Sequence, residues 1–250
     1  MRKINFIYSV LFLVFITCSS DEASTDAVQE ANDTLATLVA QNTIEIDNVI
    51  ACASGSINPN EIVAYVYPRP GATDIRYFET ETVDVDKNDY ENYRQIDLEE
   101  GDFFNGYLKT FTRQTSVEKW VIISFRESGI LHLSNPIRLK HQTQNTLFTD
   151  EVTIDQSQSG MPLFMWNTLV QPLDAIYFQV VSDSSNELLS GTYTFEPQFR
   201  YYQLDNVVLN VTEETPPDLI NNTLYGFTVM GVSEDNWVNT LLQADFVTDF

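Results

Sequence analysis

The sequence predicts an all-β protein: two β-sandwich domains in tandem, behind a signal peptide and a short tether with helical spacing. Three observations lead there. From about Ile44 onward, apolar residues recur with a period near two rather than 3.6. Short β-rich runs follow one another, punctuated by Gly, Pro and Asn. A polar stretch, Lys140 to Asn145, divides these runs into two sets and places the domains at 46–142 and 147–250. Removing the first 17 of 250 residues leaves 233, enough for one large or two ordinary domains.

Residues 1–17 read as a cleavable signal peptide. Met1-Arg2-Lys3 is a basic start, and Phe6 to Ile16 is a mostly apolar run. That run is too short to span a bilayer, which takes about 20 apolar residues. Cys18 follows at once, then Ser19-Ser20-Asp21-Glu22. This arrangement resembles a bacterial lipobox, and the acidic tetrad resembles the export signal of Bacteroidota-type surface lipoproteins. Phe15 and Thr17 depart from the Leu and small residue that lipoboxes prefer. The resemblance implies that Cys18 is lipidated and begins the mature chain. It also implies an exported protein held at the outer membrane through its lipid, facing either the periplasm or the outside.

Residues 18–45 read as the lipidated tether. Ser19 to Asp26 is small and acidic, with no periodicity. Val28, Ala31, Leu35, Leu38 and Val39 then fall at the spacing of a short amphipathic helix. Asp33-Thr34-Leu35 matches the Bacteroidota-type O-glycosylation pattern, which makes Thr34 a candidate acceptor.

In the first domain, Ile62 to Tyr67 is β-rich and closes on Pro68-Arg69-Pro70-Gly71, a turn signal. Strand-like runs follow at Ile75–Val85 and at Phe104–Thr112, the latter around Asn105-Gly106. Trp120 to Phe125 is nearly continuous in apolar character, as a central strand requires. Ile130–Leu133 and Ile137–Leu139 complete the set.

In the second domain, strands are expected at Met161–Trp166, Ile176–Val181, Leu188–Phe195, Tyr201–Val211 and Leu224–Val232. Trp166 on an early strand, Tyr177-Phe178-Gln179-Val180 on the next, and Leu219 six residues before Tyr225 resemble a fibronectin type III-like, immunoglobulin-like domain. The resemblance covers roughly residues 151–247. It implies a sandwich with a tyrosine corner at Tyr225. It carries no catalytic residue, since such domains serve mainly as spacers and interaction modules.

The chemistry-bearing residues are few. Removing Arg2 and Lys3 leaves 11 basic against 36 acidic residues, a mature charge of −25. Such a surface repels nucleic acid and anionic headgroups and favours solubility. Cys52 is the sole cysteine besides Cys18, and its apolar surroundings predict a buried, inert thiol. His132 alternates with Leu131 and Leu133, which predicts a wetter face, and His141 lies in the polar stretch. The segment Asp84–Asp102 holds eight acids and two basic residues. Within it, Asp84, Asp86 and Asn88 fall at positions 1, 3 and 5 of a calcium loop, and a solvated acidic loop is the competing account. Asp89 stands where the loop's Gly belongs, and Gln95 where its bidentate Glu belongs. No other cofactor is indicated.

The expectation is a non-catalytic, membrane-anchored protein that binds an envelope protein partner. The alternative is a glycan-binding accessory protein using exposed aromatics, with Trp237, Tyr201 and Tyr202 as the candidates. Mass spectrometry of the mature N-terminus checks the first step. The expected product begins at Cys18 and carries acyl chains; a chain beginning later, or an unmodified Cys18, contradicts lipidation.

Overall fold

The computed structural model describes residues 34–168, 174–202, 207–212 and 215–250. Cys18 and the start of the expected helix therefore lie outside the described residues. The order begins with helix α1 (Leu35–Ala40) and strands β1 (Ile44–Val49), β2 (Ala51–Gly55), β3 (Glu61–Val66), β4 (Thr73–Glu79), β5 (Arg94–Ile96), β6 (Glu100–Phe103), β7 (Leu108–Gln114), β8 (Trp120–Glu127), β9 (Ile130–Ser134) and β10 (Ile137–Arg138). It continues with β11 (Leu147–Thr149), β12 (Val152–Asp155), β13 (Leu163–Trp166), β14 (Ile176–Asp183), β15 (Leu188–Thr194), β16 (Gln198–Arg200), β17 (Val207–Asn210), β18 (Leu224–Val232) and β19 (Val238–Val247).

The class is all-β, in two sandwiches. In the first, β2-β3-β7-β6 forms one sheet, and β1-β9-β8-β4-β5 forms the other, with β10 also paired to β8. In the second, β12-β13-β16 faces a larger sheet ordered β11-β19-β18-β14-β15-β17. In each, the opening strand runs parallel to a late one: β1 beside β9, and β11 beside β19. The tyrosine corner is formed as expected, with the Ile220 N–H donating to the Tyr225 hydroxyl at 2.9 Å. Trp166 is buried, edge-on to Tyr177.

Side-chain alternation stacks the sheets in layers. On β8, Val121, Ile123 and Phe125 point to the core between the first two sheets, while Ile122 joins Leu35, Phe78, Leu131 and Leu133 beneath α1. On β3, Ile62, Ala64 and Val66 enter the first core, while Val63 and Tyr65 point to the second sandwich. On β18, Tyr225, Phe227 and Val229 enter the second core, while Met230 and Val232 meet Tyr65 and Leu108 of the first sandwich. Three sheets thus have apolar residues on both faces: β1-β9-β8-β4-β5 beneath α1, β2-β3-β7-β6, and the large sheet of the second sandwich. Near-continuous apolar strands are the consequence.

Several expectations change. Packed structure begins by Thr34, whose hydroxyl caps α1 by accepting the Thr37 N–H at 3.1 Å, with Leu35 fully buried. The strand expected over Ile75–Val85 stops at Glu79. The run around Asn105-Gly106 is a hairpin between β6 and β7, with positive φ at Phe104, Asn105 and Gly106. Pro70-Gly71 makes the expected turn, closed by Ala72 N–H donating to the Arg69 carbonyl, with Gly71 at φ +91°.

One buried ion cluster ties the first sandwich together. The Glu79 carboxylate on β4 is 3% exposed. Arg113 on β7, in the opposite sheet, donates to it at 3.0 and 2.9 Å, and Lys119 at 2.6 Å. Burial alone would raise the Glu79 pKa; the two cations outweigh it and hold the carboxyl below its ordinary value. Its stabilisation is therefore full above the unfolded-state glutamate pKa and is lost as pH falls through the lower folded value. Glu79→Gln should cost about 1–3 kcal/mol at pH 7, because both partners are partly solvated. The gap to wild type should narrow in urea titrations as pH falls below the ordinary glutamate range; a gap that does not change with pH would contradict this role.

Candidate functional site

The contact between the sandwiches positions everything else. Its centre is the β18–β19 turn, which enters the first sandwich. Trp237 is fully buried among Val49, Ala53, Ile62 and Leu139, although it belongs to the second. Its indole N–H donates to the Gln144 carbonyl at 2.9 Å. The backbone just before it is also engaged: Ala53 N–H donates to the Asn236 carbonyl, and Arg138 N–H to the Asp235 carbonyl. Lys140 pairs with Asp235 at 2.8 Å. The stretch expected to be a polar spacer is built into this seam. Thr146 accepts from Gly55 N–H at 2.8 Å and donates to the Val238 carbonyl at 2.7 Å. Gln144 donates to Asn239, which donates in turn to Asp174.

Two clefts flank the seam. One, of about 530 Å³, is apolar and lined by Ile50, Cys52, Tyr67, Ile176, Tyr193 and Leu209 among others. Burial pushes the Cys52 thiol up to about 12, so it stays protonated at neutral pH, in keeping with an inert thiol. Arg69 at its rim sits 2.6 Å from Glu127 and over the Phe125 ring, and donates to His132 Nδ1 at 3.2 Å. The other cleft, of about 1040 Å³, is polar. It lies between the β6–β7 hairpin and the part of the large sheet that β2-β3-β7-β6 leaves uncovered. Asn105 fixes its hairpin wall by donating to the Ser185 carbonyl at 3.0 Å and to Glu187 at 3.2 Å.

The residues singled out in the sequence do not converge here. Trp237 is not exposed, because it is the seam's anchor. Tyr201 is fully buried, its hydroxyl donating to the Pro217 carbonyl at 2.7 Å. Tyr202 is half-buried against the Tyr201 ring and donates to Asp218 at 2.6 Å. These three therefore form no exposed aromatic row. Thr34 is 4% exposed with its hydroxyl committed to the helix cap, so the folded chain does not present it for glycosylation. Asp86 accepts the Asn88 N–H at 2.9 Å, and Asp84 N–H donates to Thr82; these are turn contacts. Among the described residues, no group of three or more His, Cys, Asp or Glu is placed to hold a metal ion, and the acidic segment runs through turns and one 3-10 turn (Tyr90–Asn92) into β5 and the start of β6.

Both histidines are buried rather than exposed. His132 is 4% exposed because Leu131 and Leu133 take the helix-covered face of β9, which turns the ring toward Phe125, Arg69 and Glu127. Glu45 of β1, its partner in register, lies 3.4 Å from Nδ1. His141 Nε2 is 2.8 Å from the Thr115 carbonyl and so donates to it. The Arg69–Glu127–His132 group was missed because its members come from a turn and two strands. Only the register of β8 on β9 brings them together.

No family model matches the chain, and no curated protein matches it. Among solved structures, the FN1–FN3 domains of chicken CNTN1 are 13% identical, covering 84% of this chain and 68% of theirs at a TM-score of 0.29. A structure of the receptor tyrosine kinase Torso in neurohormone perception is 12% identical, covering 84% of this chain and 76% of its own at 0.26. The sandwich assignment rests on the sheets themselves. Among the described residues no helix is long and apolar enough to cross a membrane.

Proposed function

We propose that the protein is a non-catalytic, lipid-anchored interaction module of the cell envelope, tethered through Cys18. The observation that carries this reading is where the chemistry-bearing side chains go. His132, His141, Glu79 and Cys52 are each spent on packing, a carbonyl contact or an internal ion cluster. The surface instead offers clefts between two sandwiches locked by a shared apolar seam. A rigid body with recesses suits recognition, because it loses little freedom on binding. The resemblance of the second sandwich to fibronectin type III domains points the same way. An acyl anchor fits a chain whose strong negative charge gives its surface no attraction to anionic lipid.

A glycan-binding role would have to use surfaces other than Trp237, Tyr201 and Tyr202. The discriminating experiment is affinity capture from solubilised native membrane with the full mature chain. A stoichiometric envelope protein partner is expected. Recovery of no partner, together with binding on a glycan array, would overturn the reading.

A further inference from the structure

We propose that the polar cleft is a docking site for a basic side chain, lysine or arginine, presented by a partner protein. The inference rests on the interaction-module reading and names the partner's chemistry. Three rungs across the large sheet set up the cleft. Phe178, Met230 and Leu241 form the first, and it is buried against the first sandwich. Val180, Thr228 and Gln243 form the second; Ser182, Gly226 and Asp245 form the third. Polarity therefore rises along one face of one sheet, and the polar end is the uncovered end.

Two features of the floor point to a ligand. Ser182 is 3% and Thr228 6% exposed, both line the cleft, and neither hydroxyl has a hydrogen-bond partner among the described residues. Neither oxygen is closed off from the cleft, so each can accept from an incoming donor. Gly226 keeps the floor open between them: a Cβ there would lie 2.8 Å from the Ser182 oxygen.

The walls select charge. Asp102, Asp150 and Asp245 line the cleft, and among the described residues no basic one does. Lys109 reaches Asp102 at 2.6 Å; Asp150 and Asp245 have no cationic partner among the described residues. Carboxylates accept only, and the two hydroxyls can accept as well, so the set fits a donor-rich cation. At about 1040 Å³ the cleft is at the upper end for small-molecule sites and admits a side chain together with its backbone.

The test is calorimetric titration of the full mature chain with a peptide alternating Gly with Lys and Arg, in physiological salt. Asp150→Asn with Asp245→Asn should weaken binding at least tenfold. Both positions are exposed, so this variant should keep its fold. Glu81→Gln with Asp84→Asn makes the same charge change at two exposed positions between the end of β4 and the start of the acidic segment, and should weaken it less than twofold. Ser182→Ala with Thr228→Val should weaken it several-fold. Equal losses in the two charge variants would reduce the effect to general attraction and overturn the proposal. So would an unaltered affinity in the hydroxyl variant, or equal binding of a Gly-Ser peptide or a neutral oligosaccharide. If the native partner is captured equally by wild type and by the Asp150/Asp245 variant, the cleft is overturned while the interaction-module reading stands.

Discussion

The burial of Trp237 inside the neighbouring sandwich is the contact on which the rest of the structure depends. A β-turn rarely carries so large an apolar side chain unless another layer receives it. Here the receiving layer is the core around Val49, Ala53 and Ile62, and the indole N–H is satisfied by Gln144. Burying an indole removes roughly 150–250 Å² from water, and truncating one costs about 3–5 kcal/mol. With that turn fixed, β2-β3-β7-β6 and the large sheet must lie face to face. Tyr65, Leu108, Phe178 and Met230 then close the seam. Both clefts exist only because these two sheets cover each other incompletely.

The layering also explains which parts of the fold were legible. Period-two patterning identified β8, β14 and β18, because hydrophobic runs announce a strand whichever face is covered. It hid β19. Leu241 and Leu242 are both buried, one in the seam and one in the second core, so no alternation marks the strand. The same double covering misdirected the reading of His132. Apolar Leu131 and Leu133 imply a wet opposite face only when one face of a sheet is solvated. Helix α1 takes the leucines, and the histidine turns inward.

Candidate sites were less legible than elements, for a related reason. Trp237, Tyr201 and Tyr202 were singled out by composition and local position, yet exposure is a property of what packs on top. Tyr201 is covered by the segment at Pro217, and Thr34 by its role as a helix cap. Asp84, Asp86 and Asn88 have the spacing of a calcium loop without its Gly or its bidentate Glu, and their side chains and amides make turns instead. Conversely, Ser182, Thr228 and Asp245 carry no motif. They become neighbours only through the registers of β14, β18 and β19.

If the seam makes the two sandwiches one cooperative unit, its loss should uncouple them. Scanning calorimetry of the mature chain and of Trp237→Ala measures this most directly. The wild type should unfold in a single transition whose calorimetric and van't Hoff enthalpies agree. The variant should melt lower and in two resolved steps. Two independent transitions in the wild type, or a variant that still melts in one step at the wild-type temperature, would contradict the account.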